Sequence, residues 1–234
     1  MSKKVKSLLL VLCALVFAVA GVFATLAYLQ DGDEVENTVT IGDIEIVMDE
    51  GTYGGIDKYD GTVTFDFDTR RQDNEYHLIP GVTYPKDPTI HIAVKSEPAY
   101  VFVKVENQLK DLEVAAAEDA VNGLPAGTIY DQMIANGWVE VDATAYPGLW
   151  VYAGDKCVDG KANIVDAKQD AVDLQVFGQF KVNPTADNEG NPDLNDFADA
   201  KINVKALAIQ TVGFNGDYHN ALPQIPASWG YTFQ

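Results

Sequence analysis

The sequence predicts an all-β fold, a jelly-roll-type antiparallel β-sandwich with a few short helices in its loops. Three observations point there. Apolar residues recur at every second position over short stretches, as half-buried strands require. Clusters of Gly, Pro, Asn and Asp separate those stretches, as turns require. Only residues 128–137 carry a clear helical pattern. Some eight short strands with turns between them make a sandwich. No repeat of about 20–50 residues is visible, so the chain after its export segment, residues 28–234, reads as one domain.

The first element is that export segment. Lys3, Lys4 and Lys6 precede a run from Leu8 to Leu29 without a charge, the layout of a secretory signal. The run is also long enough to span a bilayer, but small residues at Thr25 and Ala27, and again at Ala18 and Ala20, favour cleavage. After it, Val35, Val39 and Ile41 share one parity. Gly42-Asp43 breaks the register, and Ile44, Ile46 and Met48 take the other, which predicts two short strands with a bend between them. Residues 51–61, GTYGGIDKYDG, read as a loop. Val63, Phe65 and Phe67 then alternate with Thr64, Asp66 and Asp68 as a half-buried strand.

Pro80-Gly81 suits a type II turn. From Thr89, the residues Ile90, Ile92 and Val94 face one way, with His91 outward. In Ala99 to Glu106, Val101, Val103 and Val105 alternate with Tyr100, Phe102 and Lys104. The aromatics on the second face predict that it is partly covered too. Residues 107–127 carry little pattern. The helix over 128–137 has Thr128 as N-cap, apolar pairs at i, i+4, and Asn136-Gly137 as its stop. A hairpin is expected from Trp138–Val141 and Leu149–Ala153, a further strand over 172–182, a long one over 200–214, and a closing strand at Trp229, Tyr231 and Phe233.

Charge narrows the partners. All 35 acidic residues follow Leu29, while three of the 16 basic ones precede it, leaving 13 against 35 and a net charge of −22 after cleavage. Nucleic acid and anionic membrane surfaces both need a basic face, so neither is an expected partner; the membrane matters only before the signal is removed. Cys13 leaves with the signal and Cys157 stays alone. No disulfide is expected, and Cys157 reads as a small buried apolar side chain.

Motifs for catalysis are missing. His77, His91 and His219 are scattered, without the H-E-x-x-H spacing of a zinc site. None of Ser2, Ser7, Ser96 and Ser228 sits in a nucleophile elbow, and no glycine-rich phosphate loop is present. No catalytic residue and no cofactor are expected. One stretch suits a hard cation: Asp187, Glu189, Asn191 and Asp193 place oxygen ligands around Gly190, as calcium requires, although turns have the same composition. Asp155, Asp159, Asn163 and Asp166 make a weaker case.

The block from Leu26 to Glu50, LAYLQDGDEVENTVTIGDIEIVMDE, resembles the start of TasA-like biofilm matrix proteins and camelysins of Gram-positive bacteria. The later LIPGVTYPKDPTIHI, AYVFVKV, IANGWVEV and AKINVKALAIQTVGF are similar to family blocks, so the resemblance covers most of the chain. It implies cleavage between Ala27 and Tyr28 by the dedicated signal peptidase SipW, because the family's T-x-A-Y/F segment falls on Thr25 to Tyr28, with the aspartate that follows it at Asp31. It also implies a secreted jelly-roll at the cell surface that forms extracellular matrix fibres; with no catalytic motif in the chain, no enzymatic activity is expected. There, residues 28–41 of one copy become a donor strand in the next, with Leu29, Val35, Val39 and Ile41 as anchors. The partners are then other copies of the same chain, head to tail. The family's alternative label, a cell-surface metallopeptidase of camelysin type, finds no zinc motif in this sequence.

Overall fold

The computed structural model describes residues 30–33, 44–57, 59, 61–158, 161–187 and 191–233. In chain order the strands are β1 (Gln30–Asp33), β2 (Ile46–Ile56), β3 (Val63–Arg71), β4 (Thr83–Pro85), β5 (Thr89–Ile92), β6 (Ala99–Asn107) and β7 (Glu113–Val114). The helix α1 (Ile129–Ala135) follows, then β8 (Trp138–Glu140), β9 (Leu149–Tyr152), β10 (Cys157–Val158), β11 (Lys161–Val165), β12 (Val172–Gln175), β13 (Gln179–Val182) and β14 (Ile202–Gln210). All pairings among them are antiparallel, and the molecule is an all-β sandwich. One sheet runs β1-β14-β6-β11-β10, with β9 on β6 and β8 on β9; a second runs β12-β5-β2-β3, and a third β4-β13-β7.

The centre is β6. Val101, Val103 and Val105 point into the main core, where they meet Ala206 and Ala208 of β14 and face Ile46, Ile90, Ile92, Tyr84, Leu174 and Phe180 from the two smaller sheets. The opposite face carries Tyr100 and Phe102, with Leu149 and Val151 of β9 and Leu207 and Ile209 of β14. A second core closes over that face, formed by Phe214, Leu222, Ile225 and Trp229 from the chain after β14. The aromatic second face of β6 therefore predicts its own cover correctly.

The helix starts and stops at its expected residues. Thr128 and Asp131 form a capping box around the first turn, with Thr128 N–H donating to Asp131 Oδ2 at 2.9 Å. Asn136 is the C-cap, and Gly137 follows in the left-handed region. Ile129 and Met133 are fully buried.

Four expectations need correction. The stretch 51–56 is strand rather than loop: β2 continues through it against β3, with register shifts at Gly51/Thr52 and Tyr53/Gly55. Its glycines serve the bulges. A Cβ on Gly51 would lie 2.3 Å from the Phe65 ring, and Gly55 has a φ of +119°. The strand expected over 172–182 is two strands in different sheets. Gln132 takes the backbone N–H groups of Gly178 and Gln179 onto its Oε1 at 2.9 and 3.1 Å, and the chain steps from β12 to β13 there. Val94 lies outside the core and is half exposed, because β5 ends at Ile92 and Lys95 takes a φ of +75°. Finally, Trp229 ends a 3-10 turn, and Tyr231 and Phe233 pack on Tyr146 without joining a sheet. The signal segment 1–27 lies outside the described residues; among those described, no helix is long and apolar enough to cross a membrane.

Candidate functional site

Strand β14 has two unequal sides. Toward β6 it pairs along its whole length, from Ile202 opposite Asn107 to Gln210 opposite Ala99. On the other side, among the described residues, β1 covers the second half, with Gln30 opposite Ile209 and Asp33 opposite Ala206. Residues 202–204 lie past the last described pair on that side. Strand β2 is similar: residues 46–49 pair with β5, whereas β3 joins on the other side only from Glu50 onward. On the β3 side of residues 46–49 the Gln72 amide donates to the Met48 carbonyl at 2.7 Å. Between these two stretches lies a cleft of about 170 Å³, lined by Met48, Pro88, Ile202 and Val204 as its apolar members and by Glu50 and Lys86 among its polar ones.

Backbone N–H and C=O groups at a sheet edge are a template for another strand, and among the described residues β1 takes up the stretch from Ala206 to Ile209. Of the expected donor segment, Gln30–Asp33 is seen as a strand on its own chain's β14. The anchors Leu29, Val35, Val39 and Ile41, and the cleavage pair Ala27 and Tyr28, lie outside the described residues.

The expected cation loop is tied to itself. Asp187, at a φ of +66°, accepts from Leu194 N–H at 2.7 Å. Asp193 caps a 3-10 turn by accepting from Asn195 N–H at 2.8 Å, a bond that holds its carboxyl below the usual range. Asn191 Oδ1 accepts from the Thr185 hydroxyl at 3.1 Å. Glu189 lies outside the described residues. In the second acidic stretch, Asp155 accepts from the Tyr152 hydroxyl at 3.0 Å, and the chain there forms the β10–β11 hairpin. Cys157 is half-buried, with its thiol raised by that burial.

The histidines do not converge. His219 meets Asp217 at 2.7 Å, and the His77 carbonyl accepts from the Tyr84 hydroxyl at 2.8 Å. His91, expected as a simple outward residue, lies between two carboxylates: Nδ1 is 2.7 Å from Asp173 Oδ1 and Nε2 is 3.0 Å from Asp49 Oδ1. Burial opposes its charge, but the hydrogen bonds to the two carboxylates together with their negative charges raise its pKa. Among the described residues no group of three or more His, Cys, Asp or Glu side chains is placed to hold a metal ion.

Sequence reasoning missed a polar knot beside the cleft. Arg70 donates to Asp49 Oδ1 at 2.7 Å and Asp87 Oδ2 at 2.6 Å, and also to the carbonyls of both. Asp87 in turn accepts from Gly51 N–H at 2.7 Å. Glu50 is 5% exposed and joins two residues: Lys86 Nζ donates to Oε2 at 2.5 Å, and Asn74 Nδ2 to Oε1 at 2.9 Å. The one local signal was Lys86-Asp87 set between Pro85 and Pro88, charges on a backbone held extended. No family model, curated protein or solved structure matches this chain.

Proposed function

We propose that this chain is an exported structural subunit of an extracellular matrix fibre, without catalytic activity, that assembles by passing its N-terminal strand to a neighbour. The observation that carries this reading is the pairing of Gln30–Asp33 with β14, which puts the N-terminal segment on an edge of its own large sheet, beside a cleft that Ile202 and Val204 help to line. A strand that closes its own sheet can close the same sheet in another copy, since the contacts are identical. Such an exchange between identical elements is a low-cost route to assembly, and a head-to-tail exchange that does not close on itself gives a fibre. Main-chain bonds along β14 supply affinity, and alternate side chains supply specificity.

The rest of the reading comes from the family resemblance. The signal peptidase cuts between Ala27 and Tyr28, the product is secreted to the surface of a Gram-positive cell, and the sandwich has jelly-roll connectivity. Residues 28–41 form the donor strand. Val35, Val39 and Ile41 enter apolar pockets at roughly 1.5–3 kcal/mol each. Calcium at Asp187, Glu189, Asn191 and Asp193 is the one cation that this reading admits.

The test uses the chain starting at Tyr28. Asp31 and Ala208 are directly opposite in register, and opposite Cβ atoms lie about 4.5–5.5 Å apart, within disulfide reach. In the variant Asp31→Cys, Ala208→Cys, Cys157→Ser, oxidised fibres are expected to run as a covalent ladder on a non-reducing gel. A monomer band alone, from fibres visible by electron microscopy, means that the strand never leaves its own chain and ends this reading.

A further inference from the structure

We propose that the folded chain joins Lys86 to Asn74 through an intramolecular amide bond, with the Glu50 carboxylate as the catalytic group. The geometry has three parts. Lys86 Nζ and Asn74 Nδ2 donate to the two oxygens of one carboxylate, at 2.5 and 2.9 Å. The nucleophile and the leaving amine are thus neighbours before any reaction, which removes most of the entropic cost of bringing them together. Asn74 Oδ1 accepts from the Tyr53 backbone N–H at 2.8 Å. A fixed donor therefore stands where negative charge develops when an amine adds to the amide carbon.

Burial completes the setting. Lys86 and Glu50 are 9% and 5% exposed. The Tyr76 ring centroid lies 5.7 Å from Lys86 Nζ, and Tyr53 packs on Tyr76 at 4.6 Å. Bulk water has little access to compete for the carboxylate. Both Glu50 and Lys86 line the cleft between β2 and β14, which gives a small leaving molecule a way out.

The step balances without an oxidant or a co-reactant. Glu50 Oε2 takes a proton from the Lys86 ammonium, and the freed lone pair adds to Asn74 Cγ while Tyr53 N–H holds the oxyanion. Glu50 then passes the proton it holds to Nδ2 and takes the second proton from Nζ, which it hands on to the departing ammonia. The Cγ–Nδ2 bond breaks, and ammonia leaves with the excess proton as ammonium. One C–N bond forms, one C–N bond breaks, and Glu50 returns to its starting state. The product is a covalent brace from the segment after β3 to the turn before β5, laid across β2, and it is independent of whether the chain forms fibres.

Intact mass of the purified chain starting at Tyr28 decides the matter. The expected mass is lower than the sequence mass by one ammonia, and digestion gives one branched peptide that contains both Asn74 and Lys86. Glu50→Gln is expected to restore the full sequence mass, and Asn74→Asp to lose water in place of ammonia, each in a chain shown to be folded by circular dichroism. A folded unsubstituted chain with the full sequence mass overturns the proposal, whatever the variants do; the trio is then a buried ion pair with an amide neighbour.

Discussion

Lys104 Nζ donates a 2.6 Å hydrogen bond to the carbonyl oxygen of Trp229, fastening the last 3-10 turn to the central strand. The same ammonium reaches Glu106 at 2.5 Å and sits 5.1 Å from the centroid of the Tyr231 ring. Trp229 itself is 3% exposed and lies in the second core, beside Phe102 and Leu222. The tail is therefore a lid on the large sheet.

Removing the lid's anchor should be costly. Trp229→Ala is expected to destabilise the fold by about 3–5 kcal/mol, the usual cost of truncating a buried aromatic. Lys104→Met keeps the stem but leaves the Trp229 carbonyl without its donor, and about 1–3 kcal/mol should be lost. Urea denaturation of the two variants measures both numbers. A loss below 1 kcal/mol for Trp229→Ala would mean that the second core is not a cooperative part of the domain.

A second prediction concerns Gln132, fully buried on α1. Its Oε1 accepts from Gly178 and Gln179 N–H, and its Nε2 donates to the carbonyls of Gly127 and Gln179 at 3.1 and 2.9 Å. Gln132→Leu preserves volume but takes the side-chain partner from the Gly178 N–H, the Gln179 N–H and the Gln179 carbonyl, at about 1–3 kcal/mol for each that finds no other partner, while the Gly127 carbonyl keeps the Ala116 N–H at 3.0 Å. The variant should show a lower denaturation midpoint, and hydrogen exchange should quicken first at Gly178 and Gln179. Uniform exchange across the whole domain would mean that the contact does not set the β12–β13 step.

What could be read from the chain follows from the range of the interactions. The helix was legible because Thr128, Asp131 and Gly137 act within a single turn of themselves. The two-sided burial of β6 was legible because its alternation puts valines on one face and aromatics on the other. The bulges of β2 were not, since Gly51 and Gly55 have the composition of a loop and only the opposing Phe65 ring explains them. The polar knot was the least legible part. Glu50, Asn74 and Lys86 are 24 and 36 positions apart from their partners, and no local pattern marks a carboxylate that will be buried. The break at Gly178 was hidden for the same reason, because the side chain that causes it belongs to α1.

A third prediction uses the His91 bridge, which joins β12 to β2 across β5 through Asp173 and Asp49. Both ring nitrogens donate only when the imidazole is charged, and the folded pKa is raised above 6.5. The stabilisation is therefore complete below the unfolded value of 6.5 and is lost as pH climbs through the raised folded value. Thermal midpoints should fall over that upward interval, and His91→Gln should remove that part of the slope. The ring is partly exposed, so solvent screening keeps the effect modest. Equal slopes in the two proteins would show that Arg70, not His91, holds Asp49 in place.

The last prediction concerns salt. With 13 basic and 35 acidic residues after cleavage, copies of the chain carry −22 each and repel one another. Sodium chloride shortens the Debye length to about 8 Å at physiological strength, and fibre yield from the chain starting at Tyr28 should rise with it. Calcium at matched ionic strength separates screening from binding. Asp187 and Asp193 already accept from Leu194 and Asn195 N–H groups, but a carboxylate has lone pairs for more than one partner. If the loop takes calcium as well, micromolar to millimolar amounts should raise fibre yield beyond the sodium curve, and Asp187→Asn together with Asp193→Asn should return it to that curve. Overlapping sodium and calcium curves for the unsubstituted chain would leave screening as the whole effect and remove calcium from the assembly. Falling yield with sodium chloride would show that attraction between unlike charges, rather than strand exchange against net repulsion, brings the copies together.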